Sequence, residues 1–410
     1  MSKRFSIQGT LPNKLKSASN NAYSNHSNPI SEAESKSSSW RSGLIFVFWS
    51  WLISRIAIIL VIQVIAPMLP MQSPIPEIVP LGRTMEPFTP TMGWELFTHW
   101  DGKWYEDIAT RGYTYDAKDL TQIYSIAFLP AYSILCNLGM RTGLTFAIVG
   151  TIINNICFFW AAYTMYRWVE EIHSTKLARW TTIALTCFPY SMFGSVAYTE
   201  GLFLLSTTAS LRAFDQRNYI KASLWGMIAT TTRMFGLALA PTFILAACQQ
   251  RRSWAAYAAG IGTLGGFGLY LIYCQVYYGD FLANFHAQTP WLDIQQTWPL
   301  LYKKLIARRF MSPDSILRIL MFWGSGIMFW VLRREFNSTA LLYAFSSLGL
   351  LLYSNATDGI VRYVYGISSF SILLGYFLMR FPRIRVPLIA AFTAMMVSIA
   401  TRFTWWHFIA

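Results

Sequence analysis

Charge is what this chain has least of. Only 13% of its 410 residues are Asp, Glu, Lys or Arg, against about 25% in a soluble domain, and that shortage excludes a water-facing surface wrapped around one core. Acids are scarcer than bases, 19 against 33, for a formal net charge of +14. Nucleic-acid binding does not follow from that excess. The basic residues come in short groups between apolar runs, the pattern that orients a chain in a membrane. The five cysteines, Cys136, Cys157, Cys187, Cys248 and Cys274, sit in apolar stretches without CxxC or Cys/His spacing. They exclude a zinc motif and read as core packing. No internal repeat is visible, so a transporter built from two symmetric halves is unsupported.

What is present in quantity is apolar length, 54% of residues. Residues 1–40, rich in Ser and Asn and without hydrophobic periodicity, are expected to form a disordered cytoplasmic tail. The first apolar run, Gly43 to Leu69, is too long for a signal peptide and reads as the first span. Further helices are expected at about 144–166, 180–197, 200–213, 220–232, 234–248, 253–278, 314–332, 339–354, 360–378 and 386–409, each judged against roughly 20 residues per crossing. The prediction is an all-α polytopic membrane protein of about eleven spans occupying residues 41–410, with external loops at 70–143 and 279–313.

Two segments strain that pattern. Ile123 to Met140 is apolar enough to cross, but a crossing there would move every later basic group to the other side, so it is read as a helix that lies on the outer surface or dips partway. Ala222 to Cys248 is long for one span and short for two, and is read as two short helices meeting at Arg233. With these choices Arg167/Lys176/Arg179, Arg212/Arg217/Lys221, Arg251/Arg252, Arg333/Arg334 and Arg380/Arg383/Arg385 are cytoplasmic. Most acids are then external; Glu32, Glu34, Glu170, Glu171, Asp215 and Glu335 stay inside. Also external are Tyr198-Thr199-Glu200, Arg233, Gly279-Asp280 with the stretch to Asp314, and Asp358 with Arg362-Tyr363. Carboxylates and arginines at membrane depth usually face a cavity or a partner, which argues for one polar site opening outward.

The loop Thr98 to Tyr113 crowds charge and aromatics beside one early aspartate, Asp101. Two readings of Asp101 stand open: a carboxylate working in partly dehydrated surroundings, or the second half of a Thr98-x-x-Asp101 capping box. His99 reads first as an interfacial hydrogen-bonding residue, and Trp100, Trp104 and Tyr105 as an aromatic belt. Glu200 either complements a helix N-terminus or organises an acceptor or metal. Arg233, set among threonines and apolar residues, needs a counter-anion, either a lipid-linked phosphate or a structural partner such as Glu200. Arg362 carries the same pair of readings. Arg55, halfway along the first span, would be satisfied by an internal ion pair. Lys303, Lys304, Arg308 and Arg309 read as a patch that touches phospholipid headgroups.

Several motifs occur in order: Trp100-Asp101-x-x-x-Tyr105-x-x-Ile108-Ala109-x-x-Gly112-Tyr113, Phe128-x-Pro130, Ser195-x-x-Tyr198-x-Glu200-x-x-Phe203, Thr232-Arg233-x-x-Gly236 and Arg362-Tyr363. Their sequence resembles the PIG-V-like mannosyltransferases of the GT-C glycosyltransferase class. Gly279-Asp280, with Gln288 and Trp291 downstream, resembles the later external loop of that family. Phe128-Leu129-Pro130, in place of a double-aromatic version, and Gly102-Lys103 after the aspartate depart from the pattern.

The resemblance implies a GT-C-like bundle whose first external loop holds juxtamembrane helices. It also implies transfer of a sugar, with mannose expected, from a polyprenyl-phosphate donor to a membrane-attached lipid or glycan acceptor outside the cytoplasm. Asp101 matches the aspartate at the catalytic centre of the class. The accompanying substrate-binding residues would be His99, Tyr105, Glu200, Arg233, Asp280, His286 and Arg362. Chemistry then asks for Asp101 as general base, Arg233 as phosphate clamp with help from Arg362 or His286, and Glu200 as organiser. No metal-ligand spacing appears, so no tightly held metal or other cofactor is expected, which leaves a weakly bound divalent ion open. Short loops favour a bacterial plasma membrane, with the endoplasmic reticulum and a GPI-anchor role as the alternative. A lipid-linked sugar flippase and a scaffold subunit are the alternatives of another class.

Overall fold

A computed structural model describes residues 29–71, 89–119, 121–289, 317–354, 359–407 and 409, with side chains from residue 40 onward. Readings that fall on Glu77, Glu86, Trp291, Lys303, Lys304, Arg308, Arg309, Asp314 and Asp358 lie outside the described residues. The chain divides into two units, Met1–Ser42 and Gly43–Ala410. In the first, the described residues form the start of a helix; the second carries the rest of the fold.

Every regular element among the described residues is helical. Helix α1 spans Pro29–Leu60 and continues through a π turn, Val61–Ile65, to Met68. The following elements are α2 Asp101–Arg111, α3 Ala131–Met140, α4 Phe146–Ile172, α5 Thr175–Cys187, α6 Glu200–Asp215, α7 Tyr219–Thr232 and α8 Leu239–Gln249. Then come α9 Trp254–Thr263, α10 Gly265–Tyr278, a single turn Ala283–His286, α11 Ser325–Val331, α12 Ser338–Ser354, α13 Ile360–Tyr365, α14 Ser368–Arg380 and α15 Arg385–Thr404.

Among the described residues four stretches are long and apolar enough to cross a membrane: Trp40–Met68, Phe146–Ile172, Trp254–Tyr278 and Pro382–Thr404. This is a polytopic helical membrane protein, but the expected eleven spans do not appear as eleven helices of membrane length. A helix of 13 or 14 residues, such as α5 or α7, reaches only about 20 Å against a hydrocarbon core of about 30 Å. The shorter helices are pieced together through irregular turns instead. Pro189 ends α5 by forcing Phe188 into extended backbone (φ −62°, ψ 142°), and a 3₁₀ turn, Pro189–Gly194, follows. The 222–248 run divides as expected: Arg233 stands in extended conformation between α7 and a 3₁₀ turn, Met234–Ala238, that leads into α8. Helix α3, in the 123–140 segment, has ten residues, too few to cross.

Irregular backbone at membrane depth is tolerated only where protein covers it or a cavity adjoins it. That holds here, because every residue from Phe188 to Phe203 is buried. Helix α6 follows that stretch and packs against α4 and α7. Its Ser206 and Thr207 turn their hydroxyls back onto the carbonyls of Leu202 and Phe203, and Thr208 meets Ser368 of α14 at 2.9 Å. Small side chains with internally satisfied hydroxyls let these helices pack closely where burying polar groups would otherwise be costly.

Candidate active site

The loop ahead of α2 is tied to the bundle at several points. Gln63, in the π turn, exchanges two hydrogen bonds with the backbone of Gly93, at 2.8 and 2.9 Å. The Ala197 N–H donates to the Phe97 carbonyl at 2.9 Å. These contacts bring α2 against the turn that opens α6.

Asp101 is the first residue of α2, and no side-chain capping bond is made there. The buried Thr98 hydroxyl makes no hydrogen bond, so the capping box that the sequence allowed does not form. The residue before Asp101, Trp100, stands at φ 50°, ψ −118°. A bulky side chain rarely adopts that conformation, and a surrounding structure must hold it there. The Asp101 N–H donates to the Tyr198 hydroxyl at 3.2 Å. Its carboxylate Oδ2 accepts from Arg362 Nη1 at 2.8 Å. The other charged residues of α2 pair along its surface: Lys103 with Glu106 at 2.9 Å and Arg111 with Asp107 at 2.9 Å.

Arg362, on α13, is 2% exposed and lies between two carboxylates, because its Nε donates to Glu200 Oε1. Glu200, at the start of α6 and 1% exposed, also accepts from Arg233 Nη1 on the same oxygen at 2.6 Å. Two arginines and two carboxylates thus form one chain, Asp101–Arg362–Glu200–Arg233, whose formal charges cancel. Aromatic faces carry both cations. Arg362 lies 4.9 Å from the Phe193 ring centroid and 4.8 Å from that of Tyr198; Arg233 lies 5.4 Å from Tyr363. In the enclosed middle of this chain Glu200 Oε2 and Arg362 Nη2 make no hydrogen bond.

Exposure separates the two arginines. Arg362 is enclosed, whereas the Arg233 side chain keeps 11% exposure and adjoins a small pocket of about 10 Å³ whose walls include Phe203, Phe235, Tyr343, Leu351, Tyr363 and Ile367.

Of the residues picked from sequence, Asp101, Glu200, Arg233 and Arg362 are brought together, and Tyr105 lies buried nearby with its ring edge-on to Phe128 and Tyr132. His99 is not part of the ionic chain. Its ring is 1% exposed and packs on Phe403 and Trp406; burial, reinforced by Lys103, holds its pKa well below the ordinary histidine value. Asp280 and His286 form a separate group past the end of α10, where Asp280 Oδ2 meets His286 Nδ1 at 2.7 Å and accepts from the Tyr115 hydroxyl at 2.5 Å. Burial raises the pKa of the Asp280 carboxyl, and hydrogen bonds from Tyr115 and His286 outweigh it, leaving the group below its ordinary value. Asn154, Phe193 and the hydroxyl of Tyr198 were missed as parts of the site. Asn154 had a signal, since an amide pair, Asn154-Asn155, in an otherwise apolar span is a polar residue seeking a partner.

Residues 86–257 match the family model described as Mannosyltransferase (PIG-V). GPI mannosyltransferase 2 of Drosophila pseudoobscura pseudoobscura is 24% identical over 203 residues, 44% of this chain and 43% of that protein. The chain therefore matches less than half the length of this curated relative. Among solved structures, the oligosaccharyltransferase of Archaeoglobus fulgidus with zinc and sulfate aligns over 88% of this chain and 53% of its own, at 12% identity and a TM-score of 0.48. The oligosaccharyltransferase AglB from Archaeoglobus fulgidus with an inhibitory peptide and a dolichol-phosphate aligns over 88% of this chain and 56% of its own, at 9% identity and a TM-score of 0.47.

Proposed function

We propose, from the match of residues 86–257 to the mannosyltransferase (PIG-V) family model, that this chain is a membrane glycosyltransferase of GT-C-like fold that moves mannose from a polyprenyl-phosphate donor to a membrane-attached acceptor. The observation that carries the reading is Asp101: it has no capping role, and Arg362 holds its Oδ2 at the head of a four-charge chain that ends in Arg233 at a pocket.

The chemistry needs three things from the protein. An acceptor hydroxyl must lose its proton as it attacks, the anomeric carbon must be in line, and the departing phosphate must be stabilised. Asp101 takes the proton on its carboxylate. A new bond forms between the acceptor oxygen and the anomeric carbon, while the bond from that carbon to the phosphate oxygen breaks and its electron pair stays on the polyprenyl phosphate. A single displacement of this kind inverts the anomeric centre. Arg233 is the phosphate-facing cation, because its guanidinium has the greater exposure and adjoins the pocket. Arg362, enclosed between Asp101 and Glu200, holds the base and does not reach for the donor. Glu200 orients both arginines. Because the four charges already cancel, the site offers no excess negative charge to hold a divalent ion tightly, and the reading includes no resident metal.

The active site opens to the non-cytoplasmic side, as the distribution of basic groups implies. The insect relative favours an endoplasmic-reticulum enzyme that adds the second mannose of the GPI anchor over a bacterial plasma-membrane homologue.

The deciding experiment incubates purified protein with radiolabelled polyprenyl-phosphate-mannose and a lipid extract from its source, comparing wild type with Asp101→Asn. Label should move to a lipid with wild type, and kcat should fall about 10²- to 10⁴-fold in the variant, the range for losing a general base. Full turnover by Asp101→Asn would remove the base assignment. A wild type that binds donor without consuming it would point to a flippase or a scaffold.

A further inference from the structure

Arg55 lies in the middle of a membrane-length helix and is 2% exposed. The internal ion pair expected of such a residue is absent among the described residues. Its donors all go to neutral oxygens: Nη1 to the Ser191 carbonyl at 2.8 Å and Ser195 Oγ at 2.9 Å, Nη2 to Ser191 Oγ at 3.2 Å, and Nε to Ser54 Oγ at 3.2 Å. Its guanidinium sits 4.5 Å from the Phe158 ring centroid. A charge kept in a span without a counter-charge is costly, so its reward must lie in what the fork holds.

Three of those four bonds fall on the turn between Pro189 and Ser195. From the other side, α4 holds the same turn: Asn154 Nδ2 donates to the carbonyls of Phe193 and Val196, both at 2.7 Å, and Asn155 donates to the Ser195 carbonyl at 3.1 Å. Between Ser191 and Ser195 stands Phe193, whose ring faces the Arg362 guanidinium and packs on Tyr198 at 5.2 Å. Tyr198 in turn accepts the Asp101 N–H, and Arg362 holds the Asp101 carboxylate.

We infer that Arg55 is a positioning residue: by fixing the 191–195 turn it sets Phe193 and Tyr198, and through them the geometry of Arg362 and Asp101. This rests on the reading of Asp101 as the base. Lysine in its place keeps the charge but has all its donors on one atom, which can stand for Nη1 alone and leaves Ser191 Oγ and Ser54 Oγ without the bonds that Nη2 and Nε make.

The test uses the purified full chain with Arg55→Lys and, as the milder change, Ser195→Ala. Two readouts are taken: steady-state transfer from polyprenyl-phosphate-mannose, and backbone hydrogen exchange followed by mass spectrometry. Arg55→Lys should lower kcat by about 10- to 10²-fold, as small misplacements from remote changes do, with donor KM held within about twofold. Ser195→Ala should shift kcat the same way by less. Exchange should rise at 189–201 and also at 98–103, a segment to which Arg55 makes no hydrogen bond. Unchanged kcat in both variants overturns the inference, as does faster exchange confined to 189–201, which is what a merely structural anchor would give. If Arg55→Lys fails to fold, Ser195→Ala alone decides by the same two readouts. If wild type transfers no mannose, the proposed function fails, and exchange at 98–103 still decides the coupling.

Discussion

At the scale of single residues, exposure separates two arginines that share one carboxylate. Arg233 and Arg362 both sit beside Glu200, but only Arg233 adjoins the pocket. Arg233→Lys should therefore weaken donor binding, raising KM for polyprenyl-phosphate-mannose well beyond its effect on kcat, because a compact ammonium cannot hold Glu200 and a phosphate in the planar fork a guanidinium offers. Unaltered donor affinity would exclude the clamp. Glu200→Gln should behave differently. It leaves two guanidinium groups with a neutral amide in a buried place, and breaking such a pair costs about 3–5 kcal/mol. Thermal unfolding in detergent should register that loss, and a variant as stable as wild type would mean the ionic chain is not holding the bundle. The sequence offered Arg233 as a clamp and Glu200 as a helix-end acid, an organiser or a partner of Arg233; the single oxygen shared by two arginines appears only when α6, α7 and α13 meet.

At the scale of elements, the turn between α5 and α6 does the most work. Pro189 stops one helix, the 3₁₀ turn carries Phe193, and α6 begins at Glu200 with Gly201 behind it. The Gly201 N–H donates to Asn154 Oδ1 at 2.7 Å, and a Cβ there would stand 2.3 Å from the Asn154 carbonyl oxygen. That neighbour is backbone of α4 and has no flexible end to move aside. Gly201→Ala should destabilise the protein by about 1–3 kcal/mol, the usual range for overpacking, and lower transfer along with stability. Differential scanning fluorimetry paired with the mannose assay checks both; a variant with wild-type melting would mean that α4 and α6 are looser than their contact implies. The break at Pro189 was not read, since one helix was expected over 180–197, although a proline inside a helical pattern is a local stop signal. The fit of Gly201 against α4 has no such signal, because nothing local marks which glycine faces a neighbour's backbone.

At the scale of the whole molecule, the distribution of bases predicts one outward site and a basic inner face. In an otherwise cysteine-free and active background, Lys118→Cys should react with an impermeant maleimide from the non-cytoplasmic side only. Arg217→Cys, in the turn between α6 and α7, should react from the cytoplasmic side only. Labelling of both positions from one side would break the topology, and labelling of Lys118→Cys from the cytoplasmic side would place the Asp101 loop on the wrong face for a lipid-linked donor outside the cytoplasm.

The amino-acid order by itself determined the solvent, the helical class, the meeting of two short helices at Arg233, and the short list that holds Asp101, Glu200, Arg233 and Arg362. Those follow from apolar length, from charge kept out of lipid, and from motif spacing, all local properties of the chain. Tertiary structure decided what the list means. Asp101 could have capped α2, and packing against Tyr198 and Arg362 took it out of that role. His99 could have touched substrate, and Phe403 with Trp406 enclosed it. Arg55 could have found an acid, and it found a turn of neutral oxygens instead. Each of these outcomes depends on which distant segments come within about 3 Å of a polar group that cannot be left alone in a dry interior, and that distance is fixed only when the helices pack.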